Sequence, residues 1–551
     1  MAKNKLSAVL FDFDGTLTMP GLLDFPAIRA ALGCPDNETI LEFITSRPDA
    51  ERREANRILE AFEMKAAREA KPNGRARELM DFLKSRHIPF GIITRNRLSM
   101  VLRSLENFEG IRRDDFALIL SRDDQVAPKP DPEGIRVAAE QMGVPVEEVL
   151  VVGDFRYDIQ AGERAGAITA LLTNGDPADG AGCSPDYRLA DLEQVEQLVR
   201  RLCPLPPGKL PNDLLAPLLS GIRPADPSIL VGPGVGQDSA AVHLPPEHEV
   251  LVLKSDPITF TTDELGLYAV IVNANDVVTV GAVPRWFLAT LLLPPGATAQ
   301  QAGEHLRTIN QTCSDLGISL CGGHTEVTPT VNQPIVSGCL VGTVTRAGLL
   351  RKENASAGDR VLLTKGVSVE GTSILAREFG AELKKLGVSD ERLEKCRRYL
   401  FDPGISVVAE GRIAAETASA VAMHDITEGG LATALEELSV ACKRRIRVLN
   451  DRIPIFPETR DLCTLIGLDP LGLIGSGSLI IVSPVEKADE LEGRIHNAGI
   501  AVCQIGEIGE PGTGVEAINQ AGEPVPWPRF EADEITRVAR ILADTARITD
   551  L

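Results

Sequence analysis

The chain has 551 residues and a net charge of −21, from 57 basic and 78 acidic side chains. This length predicts two to four domains, because a single hydrophobic core stops growing well below it. The acidic balance repels polyanions, so nucleic acid and anionic membrane surfaces are poor candidate partners. The 10 cysteines are scattered without a CxxC pair, which argues against a zinc site or a disulfide framework. With no apolar segment of transmembrane length and no signal-peptide pattern, we expect a cytoplasmic protein.

Alternating strands and helices are predicted along the first third of the chain. Buried strands are expected at LSAVLF, PFGIIT, VLVVGD and AITALLT, with charged helices over 36–72 and an amphipathic helix at ADLEQVEQLVRRL. Strands separated by helices favour a parallel, doubly wound sheet. The proline-rich stretch CPLPPGKLPND then indicates a linker over 204–212.

Shorter strands, punctuated by glycine and proline, follow the linker. EVLVLKSD and PIVSGCLVGTVT read as strands, and TAQQAGEHLRTINQTCSDLG reads as a helix between them. The polar turn in RKENASAGDRVLLTKG precedes a new strand and predicts a further boundary near 347. The expected domains are therefore 1–203, 213–346 and 347–551, all of them α/β.

Two aspartates follow the first predicted strand, in the stretch FDFDGTLT. Open α/β sheets bind ligands at the carboxyl ends of their strands. Asp12 at such a position can attack phosphorus as a carboxylate nucleophile. Asp14 can protonate the leaving group and later activate water. The simpler alternative for an isolated DxD pair is an acidic turn.

Three later segments favour a phosphate site over an acidic turn. Thr94 ends the strand GIIT with a hydroxyl suited to a phosphate oxygen, and Lys129 in APKPDP adds a positive charge. Asp154 and Asp158 in VVGDFRYD are carboxylates suited to magnesium.

With these four motifs in this order, residues 1–203 resemble a haloacid-dehalogenase superfamily phosphatase. The resemblance implies a Rossmann-like domain that hydrolyses a phosphorylated small molecule. Residues of about 18–88 would form the small helical cap of the phosphoglycolate-phosphatase-like branch. A degenerate, purely structural domain is the alternative, which the intact motifs disfavour.

The same resemblance implies a role for each motif residue. Asp12 would be the nucleophile and Asp14 the acid/base, while Thr94 and Lys129 would hold the phosphate. The implied Mg²⁺ ligands are Asp12, Asp14 and Asp154, with Asp158 in support.

The remaining two-thirds of the chain also places acids and glycines near predicted strand ends. Asp238 follows the glycine-rich GPGVGQ, Asp256 follows the strand in LVLKSD, and CGGHTEV follows another strand. Asn273, Asn275 and Asp276 in VNANDVV are expected at the start of a helix. Glycines let the backbone approach phosphates, and several acids can share magnesium ions. None of these signals is specific alone, because NxND is also a common helix N-cap.

In their order and spacing, these segments resemble the aminoimidazole ribonucleotide (AIR) synthetase superfamily, the PurM-like proteins. The resemblance covers residues 207–551, includes GDRVLLTKG and MHDITEGGLATAL, and is nearest to the hydrogenase-maturation dehydratase (HypE-like) branch. It implies a two-part α/β module that binds ATP as a substrate and dimerises through the sheet of its first half. The implied Mg²⁺ and phosphate ligands are Asp238, Asp256 and Asp276. The implied ATP- or substrate-binding residues are Gly234, Gly236, Asn273, Gly322, Gly323, His324, Glu326, Asp425, Gly429 and Gly430.

Two departures from that branch bear on function. The dehydratase carries its substrate on a C-terminal cysteine, whereas this sequence ends in ARITDL. His324 stands where synthetase-type relatives have an acid, so His324 and Glu326 both remain candidates for its role. The leading hypothesis is a bifunctional enzyme, a magnesium phosphatase joined to an ATP-dependent synthetase, dehydratase or kinase that activates an oxygen or nitrogen group of a small molecule. The alternatives are a maturation scaffold that binds nucleotide and a partner protein, and a nucleotide sensor beside a phosphatase.

Overall fold

A computed structural model describes most of the chain, namely residues 5–35, 38–175, 183–205, 208–209, 212–231, 233, 241–244, 249–258 and 263–549. The chain divides into two compact units. The first comprises 1–206 with 295–302, and the second comprises 207–294 with 303–551. Within the described ranges, no helix has both the length and the apolar character needed to cross a membrane.

The first unit is built on a six-stranded parallel sheet. Its strands are β1 (Ala8–Phe11), β2 (Phe90–Ile93), β3 (Leu118–Leu120), β4 (Val149–Gly153), β5 (Ile168–Leu172) and β6 (Tyr187–Leu189). Its helices are α1 (Phe25–Leu32), α2 (Ile40–Thr45), α3 (Asp49–Glu69), α4 (Ala76–Ser85), α5 (Leu98–Leu105), α6 (Glu133–Met142), α7 (Arg156–Ala165) and α8 (Leu192–Leu202). The strand order is β3-β2-β1-β4-β5-β6, with every pair parallel.

Helices cover both faces of this sheet, as parallel sheets require. One core contains side chains of α4, α5 and α8, including Leu79, Val101 and Val195, and the other contains side chains of α6 and α7, including Ile135 and Ala161. Because β1, β2 and β4 are neighbours, their carboxyl ends lie side by side. The predicted motifs at those ends are thereby brought to one edge of the sheet.

Helices α1 to α3 form an insertion with a small core of its own. Ile28, Ile44 and Leu59 pack together there and are separate from the sheet cores. Leu79 and Met80 of α4 instead pack in the core of the sheet. We call the insertion of α1 to α3 the cap; it ends before α4, which packs with the sheet.

The first half of the second unit holds a five-stranded mixed sheet and a separate two-stranded sheet. The strands of the two sheets together are β7 (Gly208–Lys209), β8 (Ile229–Val231), β9 (Ala241–Val242), β10 (Val250–Ile258), β11 (Val283–Leu293), β12 (Ser319–Val327) and β13 (Ile335–Val344). The helices of this half are α9 (Asn212–Ser220), α10 (Leu265–Val278) and α11 (Ala299–Asp315). The sheet order is β10-β13-β11-β12-β7, and β8 pairs with β9 separately.

The second half of this unit is a seven-stranded sheet covered by helices. Its strands are β14 (Arg360–Thr364), β15 (Ala422–Asp425), β16 (Arg444–Leu449), β17 (Leu479–Ser483), β18 (Val502–Pro511), β19 (Val515–Ile518) and β20 (Pro524–Val525). Its helices are α12 (Val369–Glu378), α13 (Gly380–Lys385), α14 (Asp390–Arg397), α15 (Val408–Glu416), α16 (Gly430–Cys442), α17 (Pro457–Ile466), α18 (Val485–Asn497) and α19 (Ile535–Thr549). The strand order is β15-β17-β14-β18-β16-β19-β20.

The structure corrects the predicted position of the VNANDVV segment. Asn273, Asn275 and Asp276 lie in the C-terminal half of α10, not at the start of a helix. The N-cap preference of asparagine is overridden because both amides are buried and bonded to other parts of the fold. Most residues of α10 are buried around its whole circumference, which removes the amphipathic period that would have revealed its first turns.

The glycine segment CGGHTEV was also predicted to follow a strand, but it forms part of β12. The strand continues because β11 beside it is 11 residues long and pairs with β12 as far as Val327. Gly323 permits this close pairing. A Cβ atom there would lie 2.0 Å from the carbonyl oxygen of Ala289.

Candidate active sites

The loop after β1 is shaped by a glycine and two asparagines. Gly15 has a φ of +78°, and a Cβ atom there would lie 2.0 Å from Asp154 Oδ2, so only glycine fits. Asn174 Nδ2 donates to the Gly15 carbonyl at 2.8 Å, and Asn73 Nδ2 donates to the Thr16 carbonyl at 2.9 Å. These contacts fix the backbone that carries the two candidate aspartates.

Lys129 lies between two carboxylates of this site. Its Nζ is 2.5 Å from Asp12 Oδ1 and 2.5 Å from Asp158 Oδ1, and it donates to the Ile93 carbonyl at 2.8 Å. Burial alone would lower the pKa of Lys129, but the two carboxylates raise it above its usual value. Burial raises the pKa of Asp12 to about 6, although Lys129 opposes the shift. Lys129 is therefore a permanent cation beside Asp12.

Three carboxylates form a group suited to a metal ion. Ligand atoms of Asp12, Asp154 and Asp158 all lie within 4.8 Å of one another. Burial, followed by the charge of Asp12, raises the pKa of Asp154 to about 8, and no basic side chain in the described part of the chain pairs with it. The charge of Lys129 offsets only part of this shift. A bound cation would stabilise such a carboxylate further, and oxygen ligands suit Mg²⁺. These residues therefore fit the ion that the sequence implies.

Asp14 lies outside this group of three. Its Oδ2 accepts a hydrogen bond from Asn96 Nδ2 at 3.1 Å, and burial, with the charge of Asp12, raises its pKa to about 7. Asn96 also donates its backbone N–H to Thr94 Oγ1 at 3.0 Å, which leaves the Thr94 hydroxyl hydrogen available for a ligand. The sequence did not single out Asn96, although it lies two residues beyond the predicted Thr94.

In the second unit, two predicted acids share one lysine. Lys254 Nζ lies 2.8 Å from Asp256 Oδ2 on β10 and 3.2 Å from Asp276 Oδ2 on α10. Burial raises the pKa of Asp276, although Lys254 opposes the shift. The two carboxylates thus converge on one cation, in an arrangement that could also bind Mg²⁺.

Asp425 joins this group from the other half of the unit. It ends β15, and burial, followed by the charge of Asp276, raises its pKa to about 7. The adjacent His424 takes part in a chain of polar contacts that the sequence did not reveal. Lys352 Nζ lies 3.0 Å from His424 Nδ1, and His424 Nε2 lies 3.1 Å from Glu437 Oε2. Burial lowers the pKa of Lys352.

The two asparagines of α10 have internal partners. Asn273 Oδ1 accepts from the backbone N–H of Asp256 at 3.0 Å, and its Nδ2 donates to the Ala269 carbonyl at 2.8 Å. Asn275 donates to the Ile405 carbonyl and accepts from the Val407 N–H, each at 2.8 Å. Asn273 therefore positions Asp256, and Asn275 connects the two halves of the unit.

The remaining predicted residues divide into a set on β12, a set at the start of α16 and a set outside the described residues. Gly322, Gly323, His324 and Glu326 lie on β12, where His324 Nε2 is 3.1 Å from Glu326 Oε2. Strands β13 and β11 separate β12 from β10, a distance of roughly 14 Å at the usual strand spacing. The four residues on β12 therefore do not contact Asp256 on β10. Asp238, Gly234 and Gly236 lie outside the described residues.

Gly429 and Gly430 form the N-terminal end of α16, four to five residues beyond Asp425. The backbone N–H of Gly429 donates to Asp533 Oδ2 at 2.6 Å, and a Cβ atom on Gly430 would lie 2.5 Å from the Leu471 carbonyl. Asp533 thus fixes this glycine turn, a role that could not be read from the sequence.

Family models match three parts of the chain. The haloacid dehalogenase-like hydrolase model matches residues 21–172. The AIR synthase related protein models match 236–344 for the N-terminal domain and 356–518 for the C-terminal domain.

Individual relatives agree with these matches. An uncharacterized hydrolase of Saccharomyces cerevisiae is 34% identical over 171 residues, which are 31% of this chain and 78% of that protein. A hydrogenase expression/formation protein of Methanocaldococcus jannaschii is 28% identical over 234 residues, which are 42% of this chain. The match covers 66% of the length of that relative, just under two thirds. Carbamoyl dehydratase HypE of Escherichia coli is 25% identical over 46% of this chain and 73% of its own length. The crystal structure of E. coli HypE has a TM-score of 0.50 at 22% identity, covering 59% of this chain and 98% of that one, which shows a shared fold.

The first unit thus combines a parallel α/β sheet with a cluster of acids at the carboxyl ends of its strands. The chain belongs to the haloacid dehalogenase-like hydrolases through this unit, and it carries the N- and C-terminal domains of the AIR synthase related proteins after it. The predicted family resemblances and α/β fold class are confirmed.

Proposed function

We propose that the chain is a bifunctional enzyme, a Mg²⁺-dependent phosphatase joined to an ATP-dependent enzyme that activates a small molecule. The observation that carries the first activity is the group of Asp12, Asp154 and Asp158 beside Lys129. Bound Mg²⁺ would supply positive charge against the phosphate, with Asp12, Asp154 and Asp158 as its ligands and Asp14 as a further candidate.

In this reaction a carboxylate oxygen of Asp12 forms a bond to phosphorus, and the bond from phosphorus to the leaving oxygen breaks. Asp14 gives its proton to that oxygen, and its pKa of about 7 leaves a substantial protonated fraction at neutral pH. Water then attacks the phosphorus of the phosphoaspartate, and Asp14 accepts the proton of the water. The bond from phosphorus to the Asp12 oxygen breaks, which releases phosphate and restores the Asp12 carboxylate. Lys129 and Thr94 hold the phosphate oxygens.

Removal of metal tests this assignment in the full chain. Chelation with EDTA should abolish hydrolysis of p-nitrophenyl phosphate, and added Mg²⁺ should restore it. Asp154→Asn should raise the Mg²⁺ concentration needed for half-maximal activity by tenfold or more. Hydrolysis that survives chelation would contradict a Mg²⁺-dependent phosphatase.

For the second activity, the supporting observation is that Lys254 contacts Asp256 and Asp276, while the charges of Asp276 and Lys352 act on the nearby Asp425. Acidic groups can share magnesium with a triphosphate, and lysines can bind its oxygens. The substrate would be a small molecule whose oxygen or nitrogen atom accepts the phosphoryl group.

Calorimetry of Mg²⁺-ATP binding to the full chain tests this second site. Asp276→Ala should weaken binding at least tenfold, because it removes a carboxylate from the shared group. Asp315→Ala, an exposed acid at the end of α11, is the matched control and should bind as the wild type does. Equal affinity of the Asp276→Ala variant would remove this residue from the site.

A homodimer through the sheet of the second unit is part of the proposal. Strand β10 is an edge of that sheet and exposes Leu251 and Leu253, which are 45% and 68% accessible.

The alternative for this unit is a scaffold that binds nucleotide and a maturation partner protein, favoured by the hydrogenase expression/formation names of its relatives. Binding of ATP without turnover of any acceptor would support that alternative.

A further inference from the structure

Two arginines lie beside the phosphatase site and have no role in the reaction above. Arg95 directly follows Thr94 at the end of β2, and Arg156 is the first residue of α7, two residues after Asp154. They therefore lie on the two loops that carry the candidate phosphate-binding and metal-binding residues.

A single tyrosine ring holds both guanidinium groups. Arg95 Cζ lies 5.5 Å and Arg156 Cζ 5.3 Å from the centroid of the Tyr157 ring. Phe155 packs edge-on against the same ring at 5.0 Å, and its own centroid lies 5.6 Å from Arg156 Cζ. Such cation–π contacts favour defined positions for both cations. Since Asp158 follows Tyr157 and contacts Lys129, the pair is anchored next to the reaction centre.

The chain compensates these two charges poorly. In the part of the chain that the structure describes, Arg156 has no carboxylate within 4.0 Å, and the carboxylate nearest to Arg95 is that of Glu42, at 3.8 Å. The Nε of Arg95 is buried without a hydrogen-bond partner there. Arg156 also begins a helix, where the helix dipole disfavours a cation, and Asp158, the acid of that first turn, is bonded to Lys129.

Two neighbouring arginines differ in this respect. Arg97 is 2.7 Å from Glu60, and Arg122 is 2.8 Å from Glu63, so cap helix α3 supplies both with close partners. The Nε of Arg97 is likewise buried without a hydrogen-bond partner, but its guanidinium has a close carboxylate. Of these four arginines, Arg95 and Arg156 are therefore the two without a carboxylate closer than 3.8 Å in the described part of the chain.

We propose that Arg95 and Arg156 bind a second anionic group of the phosphatase substrate, which is then a phosphate ester that also carries a carboxylate or a second phosphate. This inference rests on the proposed phosphatase function and specifies its substrate class. Guanidinium groups bind both kinds of anion through paired N–H donors. On binding, this group takes the place of the long contact between Arg95 and Glu42.

The test compares phosphate esters that differ in the second group, with the full chain and Mg²⁺. The pair 3-phosphoglycerate and glycerol 3-phosphate tests a carboxylate, and fructose 1,6-bisphosphate and fructose 6-phosphate test a second phosphate. In at least one pair we expect a wild-type kcat/KM at least tenfold higher for the ester with the second anion. That ratio should fall at least tenfold in the Arg95→Gln/Arg156→Gln double variant.

Arg103→Gln is the matched control, because Arg103 lies on α5 and pairs with Glu106, one residue beyond that helix. The Arg103→Gln variant loses one positive charge, as Arg156→Gln does, and should keep the wild-type ratio of kcat/KM values. Arg156→Gln alone, at an exposed position, should lower the ratio by at least threefold and keeps the test valid if the double variant does not fold.

The outcomes separate this inference from the function on which it rests. Equal wild-type kcat/KM values within both pairs, or ratios unchanged in both arginine variants, would overturn the inference and leave a phosphatase standing. A wild type that hydrolyses neither these esters nor p-nitrophenyl phosphate would overturn the phosphatase itself, and the inference with it.

Discussion

Buried carboxylates with raised pKa values occur at both candidate sites. Asp12, Asp14 and Asp154 in the first unit, and Asp425 in the second, all have pKa values raised by burial. Groups of this kind favour a bound cation, since a cation stabilises the charged form that burial disfavours. The sequence identified these acids through their motifs. It could not identify Asn96, Lys352 or Tyr157, because their contacts join segments far apart in the chain.

Glu370 is a buried acid outside both sets of predicted residues. It lies on α12, and its Oε2 accepts the backbone N–H of Ser476 at 3.2 Å. Burial raises its pKa from 4.5 to about 7. The folded chain therefore holds this proton more tightly than the unfolded chain does. The resulting stability is fully present below pH 4.5 and is lost as the pH rises through 7.

Glu370→Gln should therefore stabilise the protein at pH 8, because the amide avoids the cost of a buried charge. A pKa displaced from 4.5 to about 7 corresponds to about 3 kcal/mol, so we expect a gain of about 1–3 kcal/mol at pH 8 and little change at pH 5. Urea unfolding at pH 8 and at pH 5 measures this change in the free energy of unfolding. Glu486→Gln, at an exposed position on α18, is the control. A variant less stable than the wild type at pH 8 would contradict the assignment.

At the scale of elements, the sequence was most informative for strands that combine a run of buried apolar residues with a candidate site residue at the carboxyl end. Strands β1, β2, β4 and β5 coincide with predicted apolar runs because parallel strands covered on both faces need continuous apolar residues. Helix α10 was misplaced because it is buried all around and lacks a polar face. The contacts between cap helix α3 and the loops after β2 and β3 were also invisible, since they depend on how the helices pack.

Cap helix α3 is attached to the sheet domain by a nearly buried ion pair. Both oxygens of Glu63 accept from Arg122, at 2.9 and 2.8 Å, and Glu63 is only 5% exposed. Removing one partner of such a pair leaves the other charge without compensation, a cost of about 3–5 kcal/mol.

Glu63→Gln should thus loosen the cap while the sheet domain stays folded. Hydrogen exchange should show amides of α3 exchanging at least tenfold faster than in the wild type, with amides of β1 and β4 unchanged. Glu54→Gln, an exposed acid on the same helix, should exchange as the wild type does. Equal protection of α3 in the Glu63→Gln variant would show that this pair does not hold the cap.

At the scale of the whole molecule, the chain carries two candidate active sites, and we propose that it forms a dimer. The exposed leucines of β10 belong to an edge strand, which is an unusual place for apolar side chains in a monomer. Leu253→Asp should therefore convert a dimer into a monomer by placing a charge in the interface.

Light scattering coupled to gel filtration measures this change directly. Leu465→Asp, at another exposed leucine on α17, is the control and should leave the dimer intact. A wild-type chain that is already monomeric at micromolar concentration would contradict the proposed dimer.

The most direct test of the central claim measures both activities in the same two variants of the full chain. Asp12→Asn should lose hydrolysis of p-nitrophenyl phosphate by at least a thousandfold and bind Mg²⁺-ATP as the wild type does. Asp256→Ala should show the reverse, with hydrolysis retained and ATP binding weakened at least tenfold. Hydrolysis by Asp12→Asn at the wild-type rate, or unchanged ATP affinity in Asp256→Ala, would contradict the account of two separate active sites.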